Sequence, residues 1–125
     1  MEQIEQDLYC VGVKHRMNRD RRVVLAEVLA RGPVPVELTR EQENKYDENA
    51  IRVNVVGALP IEGVQPGHQL GYIGAETAEV LAAAIDAGSV VVLGAHLTSL
   101  HEITENHCKG ILHVVLGKIE EGDSA

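Results

Sequence analysis

The chain has 125 residues, 45% of them hydrophobic, enough for one compact domain with a substantial core and too few for two ordinary ones. Its formal net charge of −8 argues against charge-driven coating of nucleic acid or of anionic membrane. Aromatic content is 2%, with three Tyr and no Trp or Phe, so the core is expected from Val, Leu, Ile and Ala, and any base-stacking role falls to Tyr9, Tyr46 or Tyr72.

The acidic start, 1–7, does not read as a secretory signal, and no apolar run approaches the roughly 18 residues that span a bilayer. Cys10 and Cys108 form no CxxC and no disulfide framework. A reduced, cytoplasmic setting with no membrane partner is the expectation.

Leu8 to Val13 reads as a first strand whose end is a candidate site edge. It delivers the chain into Lys14-His15-Arg16-Met17-Asn18-Arg19-Asp20-Arg21-Arg22, with five fixed positive charges against one negative, a candidate anion-binding patch. A helix capped by Asn18 or Asp20 follows, with Val24, Leu25, Val28 and Leu29 on its apolar side and Gly32-Pro33 as its stop. Arg19, Arg21 and Arg22 fall in its first turn, where cations oppose the helix dipole, a small local conflict that hints at function.

Val34, Val36 and Leu38 alternate with polar residues in a second strand, and Ile51, Val53 and Val55 in a third. Between them lies a polar loop carrying Tyr46 with no apolar neighbour, which is hard to explain as core. Residues 57–67, with Pro60, Gly63 and Pro66, form an extended hairpin loop tolerant of insertion. A short strand over 69–74 leads into a helix from Glu76 to about Asp86, with Val80, Leu81, Ala84 and Ile85 on one face. Val90 to Leu97 and Ile111 to Leu116 read as two strands buried on both sides, and the segment from 118 on as a frayed tail. The order predicts a mainly β domain, a six-stranded barrel-like sheet flanked by two helices, with its core over about 8–117.

No phosphate-cradling glycine run, no GxSxG elbow and no HExxH pair is present, and no cofactor is implied. His96, His101, His107, Cys108 and His113 cluster late in the chain, but at spacings that match no zinc pattern. Paired carboxylates such as Glu41 with Glu43, or Asp47 with Glu48, leave a metal-dependent nuclease as a weaker alternative. Asp47 is framed by Asn44 and Asn49, and turn chemistry alone favours a structural role for all three.

The segment Asn44-Lys45-Tyr46-Asp47-Glu48-Asn49-Ala50-Ile51-Arg52-Val53 is preceded by Val36-Glu37-Leu38-Thr39-Arg40-Glu41. It is followed by Gly67-His68-Gln69-Leu70-Gly71-Tyr72-Ile73 and the helix around Ala78 to Leu81. Together these resemble the HIRAN domain family over roughly Leu8 to Leu116. The resemblance implies a small OB-like or SH3-like barrel and a non-enzymatic module that binds the 3′-hydroxyl end of single-stranded DNA. It also implies a link to DNA repair or replication-fork processing, with a helicase or nuclease as a protein partner.

By that resemblance Tyr46 stacks on a terminal base, Asp47 accepts from the terminal hydroxyl and Asn44 helps bind the terminal nucleotide. Tyr72 and the cations Lys14, Arg16, Arg19, Arg40 and Lys45 complete the expected DNA-binding set. DNA-binding members carry an arginine and aromatics just after the first strand, where this chain has Lys14-His15-Arg16. His15 or Arg16 would stack less favourably than tyrosine, which predicts weaker DNA binding or a changed ligand. A protein-interaction module that keeps the fold without binding DNA is the alternative.

Overall fold

The computed structural model describes residues 1–119, and the expected tail lies outside the described residues from 120 on. Six strands form a closed antiparallel barrel: β1 (Glu2–Val11), β2 (Val34–Arg40), β3 (Ile51–Val55), β4 (Gln69–Ile73), β5 (Val90–His101) and β6 (Lys109–Lys118). Around the barrel they run β1-β4-β3-β2-β5-β6, and β6 closes on β1. Two helices, α1 (Arg19–Leu29) and α2 (Ala75–Asp86), pack against β5, and a single 3-10 turn over Val13–His15 links β1 to α1. The mainly β barrel with two flanking helices is therefore present.

The core is aliphatic, built around Leu25, Ile51, Val53, Val55, Leu70, Leu97, Leu112 and Val114, all essentially inaccessible. Inward residues alternate with outward ones along β6. The strand β5 does not meet the expectation of burial on both faces: Val91 and Leu93 are 38% and 47% exposed, because only part of its outer face is covered by the helices. Bulges at Val92/Gly94 and Leu97/Ser99 let this twelve-residue strand bend around the closing barrel.

The first strand begins at Glu2 rather than Leu8, because Glu2 to Cys10 pair continuously with Lys118 to Gly110 of β6. The polar residues 2–7 carry little alternation, yet an intact ladder needs only backbone groups. The 57–67 connection is anchored, since Ile61 and Val64 are buried in the core, so it is poorly suited to insertion. In α2 the inward face is Ala78, Leu81 and Ala82, while Val80 points to solvent.

The largest departure concerns Arg22. It is 1% exposed and shares the inward stripe of α1 with Leu25, three residues on. Its Nη1 donates to the His107 carbonyl (3.2 Å) and its Nη2 to the Glu105 carbonyl (3.4 Å). Arg22 therefore clamps the β5–β6 connection and is not available to the surface patch. Asn18 caps the helix, its Oδ1 accepting from the Arg21 amide at 2.9 Å.

Cys10 and Cys108 are both free and buried. Burial pushes the Cys10 thiol up to about 12, with the neighbouring Cys108 adding to the shift, so Cys10 is a packing residue rather than a nucleophile.

Candidate functional site

The polar loop between β2 and β3 is built on two side chains that bond their own backbone. Asn44 Oδ1 accepts from the amides of Tyr46 (2.9 Å) and Asp47 (3.0 Å), and Asp47 Oδ1 accepts from the Asn49 amide (2.9 Å). The Ala50 amide closes the turn onto the Asp47 carbonyl at 3.1 Å. Short polar side chains are suited to this because a single methylene places their oxygen within reach of nearby backbone amides.

The loop is then tied to the barrel through Glu41. Its Oε1 accepts from the Tyr72 hydroxyl (2.9 Å) and from Asn44 Nδ2 (3.2 Å), and its Oε2 accepts from Arg52 Nη1 (3.1 Å). Burial works against the Glu41 charge. The hydrogen bonds from Asn44 and Tyr72, with the Arg52 and Arg16 charges behind them, outweigh that and hold its carboxyl below the ordinary range. Both ends of the Asn44 amide are thus occupied within the protein.

These contacts leave a groove of about 450 Å³ between the loop and the β1–β4 seam, lined by Val11, Arg16, Asn44, Lys45, Tyr46, Asp47, Ala50, Tyr72, Ile73 and Ala75. Val11 lies opposite Tyr72 across the seam. Gly71 permits the close approach of the two strands: a Cβ there would collide with the Val11 carbonyl and press on Cys10 Sγ at 3.2 Å. The groove has an apolar floor in Val11, Ala50, Ile73 and Ala75, and a polar rim.

Tyr46 stands on that rim with 97% of its surface exposed, an unusual position for an aromatic side chain. Asp47 uses Oδ1 for the turn, while Oδ2 accepts no hydrogen bond among the described residues. Arg16 is fixed through its backbone, since the His68 imidazole Nε2 donates to its carbonyl at 3.1 Å. The site can therefore offer one flat aromatic surface, one free carboxylate oxygen and the two cations Arg16 and Lys45.

Of the ten residues expected from sequence, the groove brings together Arg16, Asn44, Lys45, Tyr46, Asp47 and Tyr72. Lys14 and Arg19 line a separate depression with Asn18, Asp20, Arg22 and Glu105, and His15 lies exposed in the 3-10 turn. Arg40 is committed elsewhere: its Nε and Nη2 donate to Asp86 of α2 (3.1 and 2.8 Å) and its Nη1 to the Ala50 carbonyl (3.1 Å). It braces the loop from outside rather than facing the groove.

Sequence reasoning weighed Glu41 only as a candidate metal carboxylate beside Glu43, and missed its tie from the loop to the barrel, the part of Arg52 in it and the apolar floor. Glu41 had one local signal, its three-residue spacing from Asn44.

The late histidines do not converge. His96 faces His113 across β5 and β6, His113 bonds Asp7 and Glu5, His107 pairs with Glu102, and His101 with Ser99. Among the described residues no group of three or more His, Cys, Asp or Glu side chains could hold a metal ion. No helix among them is long and apolar enough to cross a membrane.

No curated protein matches this chain. Three solved structures share the fold. The crystal structure of the HIRAN domain of human HLTF has a TM-score of 0.60 and 23% identity, covering 91% of this chain and 76% of that one. The NMR structure of the HLTF HIRAN domain in its DNA-bound conformation gives 0.55 and 24%, with 91% and 75% covered. A protein from Lactobacillus plantarum gives 0.55 and 23%, with 91% and 98% covered. The sequence model of the HIRAN domain matches residues 5–116, nearly the whole barrel, and the chain belongs to the HIRAN domain family.

Proposed function

We propose that the groove holds the 3′-hydroxyl end of a single DNA strand, and that the protein acts by binding rather than by chemistry. The observation that carries this reading is the pairing of a fully exposed Tyr46 ring with an Asp47 oxygen left free beside it. A ring on a rigid loop stacks on any base, and a free carboxylate oxygen accepts a hydrogen bond from a hydroxyl while repelling a phosphate. Aromatic surface, acceptor and cations form a recognition set. The fold shared with an HLTF HIRAN domain in its DNA-bound conformation supports nucleic acid as the ligand.

In this reading Tyr46 and Tyr72 border the terminal base, Asp47 Oδ2 takes the terminal hydroxyl, and Arg16 and Lys45 meet phosphates. Asn44 acts by shaping the loop, because its own polar atoms are already bonded. Recognition of a free strand end suits a module that recruits a helicase or nuclease to DNA under repair or to a stalled fork.

Fluorescence anisotropy with matched oligonucleotides ending in a 3′ hydroxyl or a 3′ phosphate, and with duplex DNA, tests the mechanism. Asp47→Asn is the informative variant: its Oδ1 can keep the turn bond to the Asn49 amide, while an amide donor replaces the free acceptor. The expected result is a preference for the hydroxyl end that disappears in Asp47→Asn. Equal binding of all three ligands by the native chain would overturn the reading.

A further inference from the structure

Two features outside the groove form one extended surface with it. Tyr9 is 52% exposed on the outer face of β1, two residues from Val11, which lines the groove, so the two side chains share a face about 7 Å apart. The Gly74 amide donates to the Tyr9 carbonyl at 3.1 Å, which joins this part of β1 to the turn entering α2, whose Ala75 also lines the groove. Over the Tyr9 ring lies Lys109, its Nζ 4.4 Å from the ring centroid. After Arg52 the chain has only two cations, Lys109 and Lys118, and Lys109 is the one beside this aromatic.

Resting on the reading of the groove above, we infer that the bound strand continues across Val11 to a second stacking position made by Tyr9 and Lys109. The exposed ring takes a base, and the Lys109 ammonium, which rests on the ring in the free protein, turns to the adjoining phosphate. The same strand limits the path. The next outward positions of β1 are Asp7 and Glu5, both bonded to His113, and their carboxylates repel a further phosphate. The site is therefore finite, a terminal nucleotide in the groove and a small number of nucleotides up to Tyr9. No free end is needed at Tyr9, so this position adds affinity without adding end discrimination.

The test is a length series of oligothymidylates from two to eight nucleotides, each with a 3′ hydroxyl, titrated into the full chain by competition anisotropy at low salt. Affinity is expected to rise with length and then level off. Tyr9→Ala should lower affinity for the longer oligonucleotides by about 5- to 150-fold and leave the dinucleotide unchanged, whereas Tyr9→Phe should restore the rise. Lys109→Gln should reduce the slope of log affinity against log salt by about 0.7 for the longer ligands only.

A length-dependent rise untouched by Tyr9→Ala overturns the second position. So does a Tyr9→Ala loss that is equal for the dinucleotide and the octanucleotide. If Tyr46→Ala weakens every length while Tyr9→Ala weakens none, the groove reading stands and this one alone fails. If no length binds the native chain, both fail.

Discussion

Tyr46→Ala separates recognition from stability more cleanly than any other substitution in this protein. The ring is 97% exposed and makes no side-chain hydrogen bond among the described residues, so removing it takes almost nothing from the fold. The backbone amide of residue 46 keeps its bond to Asn44 Oδ1, so the turn survives in the alanine variant. A change in unfolding free energy within about 0.5 kcal/mol is expected, a shift in Tm of no more than about 2 °C. Binding should behave differently. Loss of one base–aromatic stack costs about 1–3 kcal/mol, or about 5- to 150-fold in affinity, with no dependence on base sequence. Tyr46→Phe should bind like the native chain, since the hydroxyl has no partner among the described residues to lose. The assay is anisotropy on a single-stranded oligonucleotide alongside thermal unfolding of the same samples. Unchanged affinity in Tyr46→Ala, or a fall in Tm of several degrees, would refute the reasoning.

Three further outcomes follow from other parts of the molecule. Glu41→Gln should weaken strand binding and lower Tm, because a neutral amide no longer pairs with Arg52 and loosens Tyr72 and Asn44. The Glu41 carboxyl is held below its ordinary value of 4.5, so its stabilisation is complete above that pH and is lost as pH falls through the lowered value; the Tm gap between native and variant should close in acid. Arg22→Met should destabilise by about 2–4 kcal/mol through the lost bonds to the carbonyls of Glu105 and His107, and hydrogen exchange should accelerate in residues 102–108. His113 is raised above 6.5 by hydrogen bonds to Asp7 and then Glu5, so its contribution is complete below 6.5 and fades as pH rises through the raised value. Thermal unfolding of His113→Gln and native protein across this range should show a gap that narrows toward alkaline pH.

The barrel was legible because most of its strands announce themselves by period and α1 by its Asn18 cap. Val34 to Leu38 and Ile51 to Val55 alternate cleanly, and both become central parts of the sheet. The misreadings share one cause, which is that side-chain polarity was taken to fix exposure. The first strand was begun at Leu8 because residues 2–7 are polar, yet β6 supplies them with a complete backbone partner. Arg22 looked like surface charge, although its spacing from Leu25 already put it on the buried stripe of α1. Helical period was the stronger signal there, since the carbonyls of a distant loop accept from both terminal nitrogens of the guanidinium. The loop over 44–49 was legible down to its turns, because Asn44 and Asp47 act on amides within three residues. The link from Glu41 to Tyr72 was not, since it depends on β2 and β4 lying on either side of β3, a relation no local pattern encodes.

In the proposed reading an acidic chain holds an anionic strand, which requires geometry more than field, and the groove has that character. Its recognition atoms are fixed before any ligand arrives: the loop amides are bonded by its own side chains, and Tyr72 is held by Glu41. Little ordering remains to oppose binding. The charge in direct reach is small, Arg16 and Lys45 in the groove and Lys109 at Tyr9, against a net −8 for the chain. Three phosphates neutralised on a single strand correspond to a slope of log affinity against log salt of about −2. A titration between low and physiological salt measures it directly. A much steeper slope would bring Lys14 and Arg19 into the interface, although they lie in a separate depression beside Asp20 and Glu105. A slope near zero would remove phosphate contact altogether, leaving the exposed tyrosine and the Asp47 oxygen to select a ligand that is not a nucleic acid.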